Sequence, residues 1–258
     1  MGELASSLYL VSTAAFALTA GVVGIRLLLL SAETGQMAER LLGLGVLLTA
    51  SLGYGLMMIS AIGRTMLADP SAVPAVYARI TTAGWILHNI GVMCVMGFVV
   101  HVFRRGAVWA RLLALVMSIT LWAGWAIYAS QGGMANGVPR GSYWIVLAVV
   151  GTYPFWTAAE SFAYYARMRK RVALGLGDEL VANRFLLWGL ASLTTAGSIW
   201  VVNIPGLTGA TIGEPSGSGL AEICLLLTGA LGIATVGIYW LTFFPPVWYR
   251  RQFSREGV

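Results

Sequence analysis

The chain has 258 residues, 58% of them hydrophobic and 10% charged. Soluble domains carry about 25% charged residues, so the composition excludes a soluble globular protein. The net charge of +6 sits in short breaks beside apolar segments, which argues against a nucleic-acid partner and for contact with the lipid bilayer.

In chain order, seven apolar stretches are each long enough to cross a bilayer, near 4–30, 41–62, 80–103, 112–129, 143–165, 185–202 and 220–243. The expected fold class is all-α, a polytopic membrane protein whose single domain, 1–258, is seven transmembrane helices. Strands are excluded: seven spans cannot close an even-stranded barrel, and each run is too uniformly apolar.

The first span lacks a basic leader and a cleavage site, so no removable signal peptide is expected. The break after it holds Arg26 and Arg40. Span 2 carries Tyr54 and Ser60 and is followed by Arg64, Pro70, Pro74 and Arg79. Span 3 carries Trp85, His88 and Asn89 near its middle, and Arg104, Arg105 and Arg111 come after it. Span 4 leads to Arg140, and span 5 carries Pro154 and Glu160. The break over 167–184 opens with Arg167, Arg169, Lys170 and Arg171 and is expected to be the longest inner loop. Span 6 ends near Asn203. The Gly-, Ser- and Pro-rich break over 205–219 is expected to be a mobile outer flap, with Glu222 opening span 7. Pro245 and Pro246 stop span 7, and Trp248, Tyr249, Arg250 and Arg251 suit the headgroup level.

These charges alternate in side. The breaks after spans 1, 3 and 5, with the C-terminal tail, hold 13 of the 16 basic residues. The opposite side holds Arg64, Arg79 and Arg140. The positive-inside rule then puts the N-terminus outside and the C-terminus in the cytoplasm. The expected location is a plasma (inner) membrane.

Ionisable residues inside spans are costly and are site candidates by default. His88 shares a helical face with Gly84 and Gly91, small residues that mark close helix contact, so it points into the bundle. It serves there either as a hydrogen bond to a neighbouring helix or as a ligand or proton contact. Glu160 lies below the Pro154 kink and serves as a proton or cation site, or pairs with an inner arginine such as Arg167. His88, Asn89, Glu160, Trp85 and Tyr54 form the candidate cavity site. Glu222, Arg64, Arg79 and Asn203, with Ser60 and Trp200 as further walls, form a candidate outer vestibule.

A weak repeat links Arg40 and Gly45 of span 2 to Arg184 and Gly189 of span 6, 144 positions on. Spans 1–3 and 5–7 run in the same orientation, so the chain resembles the 3+1+3 membrane proteins built from parallel repeats. Span count and orientation also resemble the opsin-type architecture. That family's retinal is held by a lysine in span 7, and the single lysine here, Lys170, lies outside the spans. A retinal Schiff base is thereby excluded.

Other chemistries lack their residues. Cys94 and Cys224 both lie in apolar segments and read as small buried hydrophobes. His88 and His101 are thirteen residues apart, about 140° around a helix, so they cannot share a metal. A bis-histidine haem scheme needs more histidines than the two present. The motifs of zinc proteases, serine hydrolases and nucleotide-binding loops are missing, so no enzyme, cofactor or metal is expected. The sequence points to binding or transport of a small solute or ion through a central cavity. A sensor signalling through a cytoplasmic protein at 167–184, and an accessory subunit of a larger complex, are the alternatives.

Overall fold

The computed structural model describes residues 2–66, 75–136, 141–208 and 219–253. Pro70, Pro74, Arg140, Arg255 and most of the Gly-rich break over 205–219 lie outside the described residues.

Seven helical rods are long and apolar enough to span a membrane, and they fall on the seven expected stretches. An apolar environment leaves the backbone no partner but itself, which is why each stretch winds as a helix. The first is α1 (Gly2–Thr34). The second is composite: α2 (Met37–Val46), a π-helical segment (Leu47–Gly53) and α3 (Tyr54–Thr65). Then come α4 (Ala75–Phe103), α5 (Val108–Ser130), the short α6 (Gly133–Asn136) and α7 (Gly141–Ala173). The rods close with α8 (Glu179–Asn203), continued by a 3-10 turn (Ile204–Thr208), and α9 (Gly219–Phe243), and α10 (Val247–Arg251) follows.

Packing makes a ring. The rod from α1 lies against α2 and α9, and α2 to α3 lies along α4. The α7 rod lies along α8, and α8 along α9. The ring closes where α4 meets α7. The α5 rod packs outside that junction, and its most apolar stretch is 22% buried against 61% for α7. The outward faces carry large apolar side chains such as Leu18, Ile59, Val116 and Ile119, as a lipid-facing surface requires.

Turns at the basic end are short. Gly35, Gly106 and Gly175 take positive φ after α1, α4 and α7, a backbone setting that costs glycine nothing. Asp178 starts α8 by accepting from the backbone N–H groups of Leu180 and Val181 at 2.7 and 3.2 Å. The expected loop over 167–184 is corrected. Helix α7 runs on to Ala173 and α8 begins at Glu179, so the basic cluster is helical and only 174–178 is loop. Hydropathy falls where the arginines begin, but Ala, Met, Arg and Lys are strong helix formers and carry the helix past the apolar zone.

Rods 2 and 3 meet through glycines. A Cβ on Gly91 would stand 2.5 Å from the Thr49 backbone nitrogen, and one on Gly53 2.7 Å from that of His88. The close approach expected from Gly84 and Gly91 is therefore made, against the π-helical segment of the neighbouring rod.

Candidate functional site

Six of the seven rods, all but α5, line a central cavity of about 170 Å³. Its walls carry no Asp, Glu, Lys or Arg. Phe16, Tyr153, Trp188 and Tyr239 give it aromatic faces. Ser12, Thr13, Thr49, Thr157, Ser192, Thr195, Ser198, Thr228 and Thr235 give it hydroxyls. Several of these hydroxyls donate to a carbonyl one turn back on their own helix, as Thr157 does to Tyr153, Thr195 to Ala191 and Thr228 to Cys224 at 2.7–2.9 Å. Their protons are thus used internally, and the oxygen lone pairs are what the cavity meets.

His88 is the one imidazole in the lining. Its Nδ1 lies 3.3 Å from the Thr49 carbonyl, in the π-helical segment. That contact calls for the Nδ1–H tautomer and leaves Nε2 as an acceptor. Nε2 is buried and has no protein partner; nor do Thr49 Oγ1, Ser198 Oγ and Trp188 Nε1, all on lining residues. Buried polar atoms are nearly always paired in folded proteins; Thr49 Oγ1 is packed against Gly91, and atoms away from the lining, among them both of the Asn89 amide and Glu160 Oε2, are likewise unpartnered. Tyr54 also lines the cavity, and its hydroxyl lies 3.0 Å from that of Tyr9 across the α1–α3 contact. Trp85 sets its ring edge-on to His88 at 5.8 Å. Asn89 is fully buried beside it but is not part of the lining.

Towards the basic end an aromatic stack adjoins the cavity. Phe16 stacks on Tyr239, Tyr239 on Trp188, Trp188 meets Phe98, and Phe98 meets Phe103, with centroids 5.8–6.1 Å apart. Phe103 then contacts Tyr164 and Phe185. This stack belongs to the packed core between the cavity and the turns at the basic end.

Glu160 sits apart from the cavity. Its Oε1 accepts from Arg104 Nε at 2.7 Å and from Trp156 Nε1 at 3.2 Å. Arg104 lies 5.2 Å from the centre of the Trp109 ring, and Trp109 packs near Trp156. The expected partner Arg167 is corrected: its guanidinium lies over the Tyr164 ring at 5.3 Å instead. The helical face shared by residues seven apart leads Arg167 past Glu160 towards the interface, whereas the turn after α4 delivers Arg104 sideways to it.

The four vestibule candidates take separate places. Arg64 donates to Thr81 Oγ1 at 2.9 Å and to the Met134 carbonyl at 2.7 Å, tying α3 to α4 and α6. Asn203 accepts from the Tyr143 hydroxyl at 2.6 Å, tying α8 to α7. Arg79 is exposed, and Glu222 is half-buried in the first turn of α9. None of the four lines the cavity.

The sequence reading missed the hydroxyl and aromatic walls. One signal for them exists. Tyr9 and Thr13 of α1 recur as Tyr153 and Thr157 of α7, 144 positions on, and all four line the cavity. That is the offset relating Arg40 and Gly45 to Arg184 and Gly189. Among the described residues, no three His, Cys, Asp or Glu side chains come together as metal ligands. The chain matches no family model, no curated protein and no solved structure.

Proposed function

We propose that this membrane protein binds a small uncharged solute in the central cavity and passes it across the bilayer. The observation that carries the reading is a central cavity whose walls hold no charge, with His88 Nε2, Trp188 Nε1 and Ser198 Oγ on lining residues left without a protein partner. An ion would lose its hydration there with no counter-charge to meet it. A neutral molecule with an aromatic or aliphatic body and one or two donor groups suits the walls. A donor on the solute bonds to His88 Nε2 or a serine or threonine oxygen, and an acceptor bonds to Trp188 Nε1. A cavity of this volume is close to the engineered cavities that hold benzene, which bounds the solute to roughly that size. The aromatic stack and the Arg104–Glu160 pair act as the closed inner gate. Glu160 then belongs to the gate, so the proton step, if transport is proton-linked, falls to His88. The recurrence of Tyr9 and Thr13 as Tyr153 and Thr157 supports a 3+1+3 carrier with its site between the two halves.

The test uses phenol and benzyl alcohol as neutral probes, and benzoate and benzylamine as charged ones. Neutral probes are expected to raise the thermal midpoint of the purified protein and to enter proteoliposomes faster than protein-free vesicles. Ser192→Trp, which fills the cavity, is expected to abolish both effects. Equal stabilisation by benzoate, or a full response in Ser192→Trp, overturns the binding reading. Stabilisation without faster entry points to the sensor reading, which the continuous helix from Tyr153 to the basic cluster of α7 favours.

A further inference from the structure

A second concavity lies at the basic end, between the start of α2, the last turns of α4 and the start of α5, with a volume of about 430 Å³. It is separate from the central cavity and shares no lining residue with it. Its walls divide by chemistry. Leu41, Gly97 and Val100 make an apolar strip, while His101, Arg105 and Arg111 stand at the rim.

Gly97 keeps the strip hollow. A Cβ built there meets nothing nearer than Leu41 at 3.7 Å, so no neighbouring backbone demands the missing side chain. This differs from Gly91 and Gly53, where tight packing does. The two arginines also lack protein counter-charges. The ion pairs among the described residues are Arg104–Glu160 and Arg169–Glu179. Arg111 reaches the Gly106 carbonyl at 3.5 Å.

Two unneutralised guanidiniums above an apolar furrow complement one kind of molecule, an anion with a hydrocarbon tail. By its charge this end of the bundle belongs at the inner headgroup level. Guanidinium forks bind phosphate oxygens with good geometry. We propose that this groove is a binding site for one anionic phospholipid. Its phosphate sits between Arg105 and Arg111, and an acyl chain lies along Leu41, Gly97 and Val100. The lipid then bridges α2, α4 and α5 on the bilayer side of the turn that supplies Arg104 to Glu160.

Native mass spectrometry of the purified protein with phosphatidylglycerol or phosphatidylcholine of matched chains tests this. The wild type is expected to retain one phosphatidylglycerol about tenfold or more over phosphatidylcholine, from two arginines at the headgroup. Arg105→Gln with Arg111→Gln is expected to erase the preference. Gly97→Leu, which fills the furrow and leaves the charge intact, is expected to lower retention of phosphatidylglycerol. Neutralising Arg169, Lys170 and Arg171 to Gln is expected to change nothing at this site. Equal retention of phosphatidylcholine, an unaltered adduct in the Arg105/Arg111 variant or in Gly97→Leu, or equal loss on neutralising the α7 cluster overturns the proposal. Full displacement of the lipid by excess inorganic phosphate also overturns it, by showing an anion site with no use for the acyl chain.

Discussion

Arg104 Nε and Glu160 Oε1 lie 2.7 Å apart, joining the turn after α4 to the middle of α7, with Glu160 4% exposed and Arg104 36%. Only one end of this pair is out of solvent reach, so the two partners are unequal. Removing the arginine strands a buried carboxylate, whereas neutralising the carboxylate frees a cation that can turn outward. Arg104→Ala is therefore expected to destabilise by about 2–3 kcal/mol, below the full cost of breaking a buried pair. Glu160→Gln is expected to lose about 1 kcal/mol, because Trp156 still has an oxygen to donate to. The double variant is expected to be no worse than Arg104→Ala, since both changes remove one interaction. Denaturant titration of the purified protein measures all three.

The contact between rods 2 and 3 makes a sharper distinction. Gly91→Ala forces a methyl group against Thr49 and is expected to cost about 3 kcal/mol, with loss of the monodisperse species on size exclusion. Gly97→Ala, on the same helix but with only an ordinary van der Waals contact to Leu41 at 3.7 Å, is expected to stay within about 0.5 kcal/mol of wild type. Similar melting curves for the two would contradict the packing.

His88→Phe separates folding from binding. The Thr49 carbonyl also accepts from the Tyr54 backbone N–H, so losing the imidazole costs about 1 kcal/mol. Phenol binding, in contrast, is expected to fall about tenfold or more, for want of the Nε2 acceptor. Calorimetric titration with phenol beside a thermal melt reads both quantities.

Tyr9→Phe and Tyr54→Phe form a double-mutant cycle across the 3.0 Å hydroxyl contact between α1 and α3. A coupling of about 0.5–1.5 kcal/mol is expected. A coupling near zero would mean that the two hydroxyls do not meet.

Orientation is testable by labelling. Leu174 and Leu207 are exposed, at 73% and 71%, in turns at opposite ends of the bundle. Leu207→Cys is expected to react with a membrane-impermeant maleimide on intact cells. Leu174→Cys is expected to react only after permeabilisation. The reverse pattern would invert the topology.

The seven rods were legible because hydropathy and charge are properties of a one-dimensional string, and the bilayer reads them in one dimension. Rotation about each helix axis is another matter. These rods are apolar on the lipid side and the core side alike, so the pattern that orients a soluble helix is faint. Gly84 and Gly91 oriented α4 correctly, because small residues report contact directly, and His88 reached the cavity with them. The cavity hydroxyls stayed hidden because Thr157, Thr195 and Thr228 each satisfy themselves on their own backbone. They cost little in an apolar segment and look like filler. An arginine of the basic end was the expected alternative partner of Glu160, and Arg104 takes that place rather than Arg167. Arg104 arrives from a turn 56 residues earlier, and helical periodicity offered only the nearby Arg167.

The winding of rod 2 carries a consequence of its own. Between Leu47 and Gly53 the chain bonds five residues ahead, taking up more residues per turn than the helices on either side. Rewound as α, that segment would turn everything from Tyr54 to Arg64 by about 100° per residue released. Tyr54 would swing off Tyr9, and Arg64 would leave Thr81 and the Met134 carbonyl, while α2 stayed seated on α1 and α4. The angular setting of half a rod, and with it one wall of the cavity, hangs on which of two N–H groups each of a few carbonyls accepts.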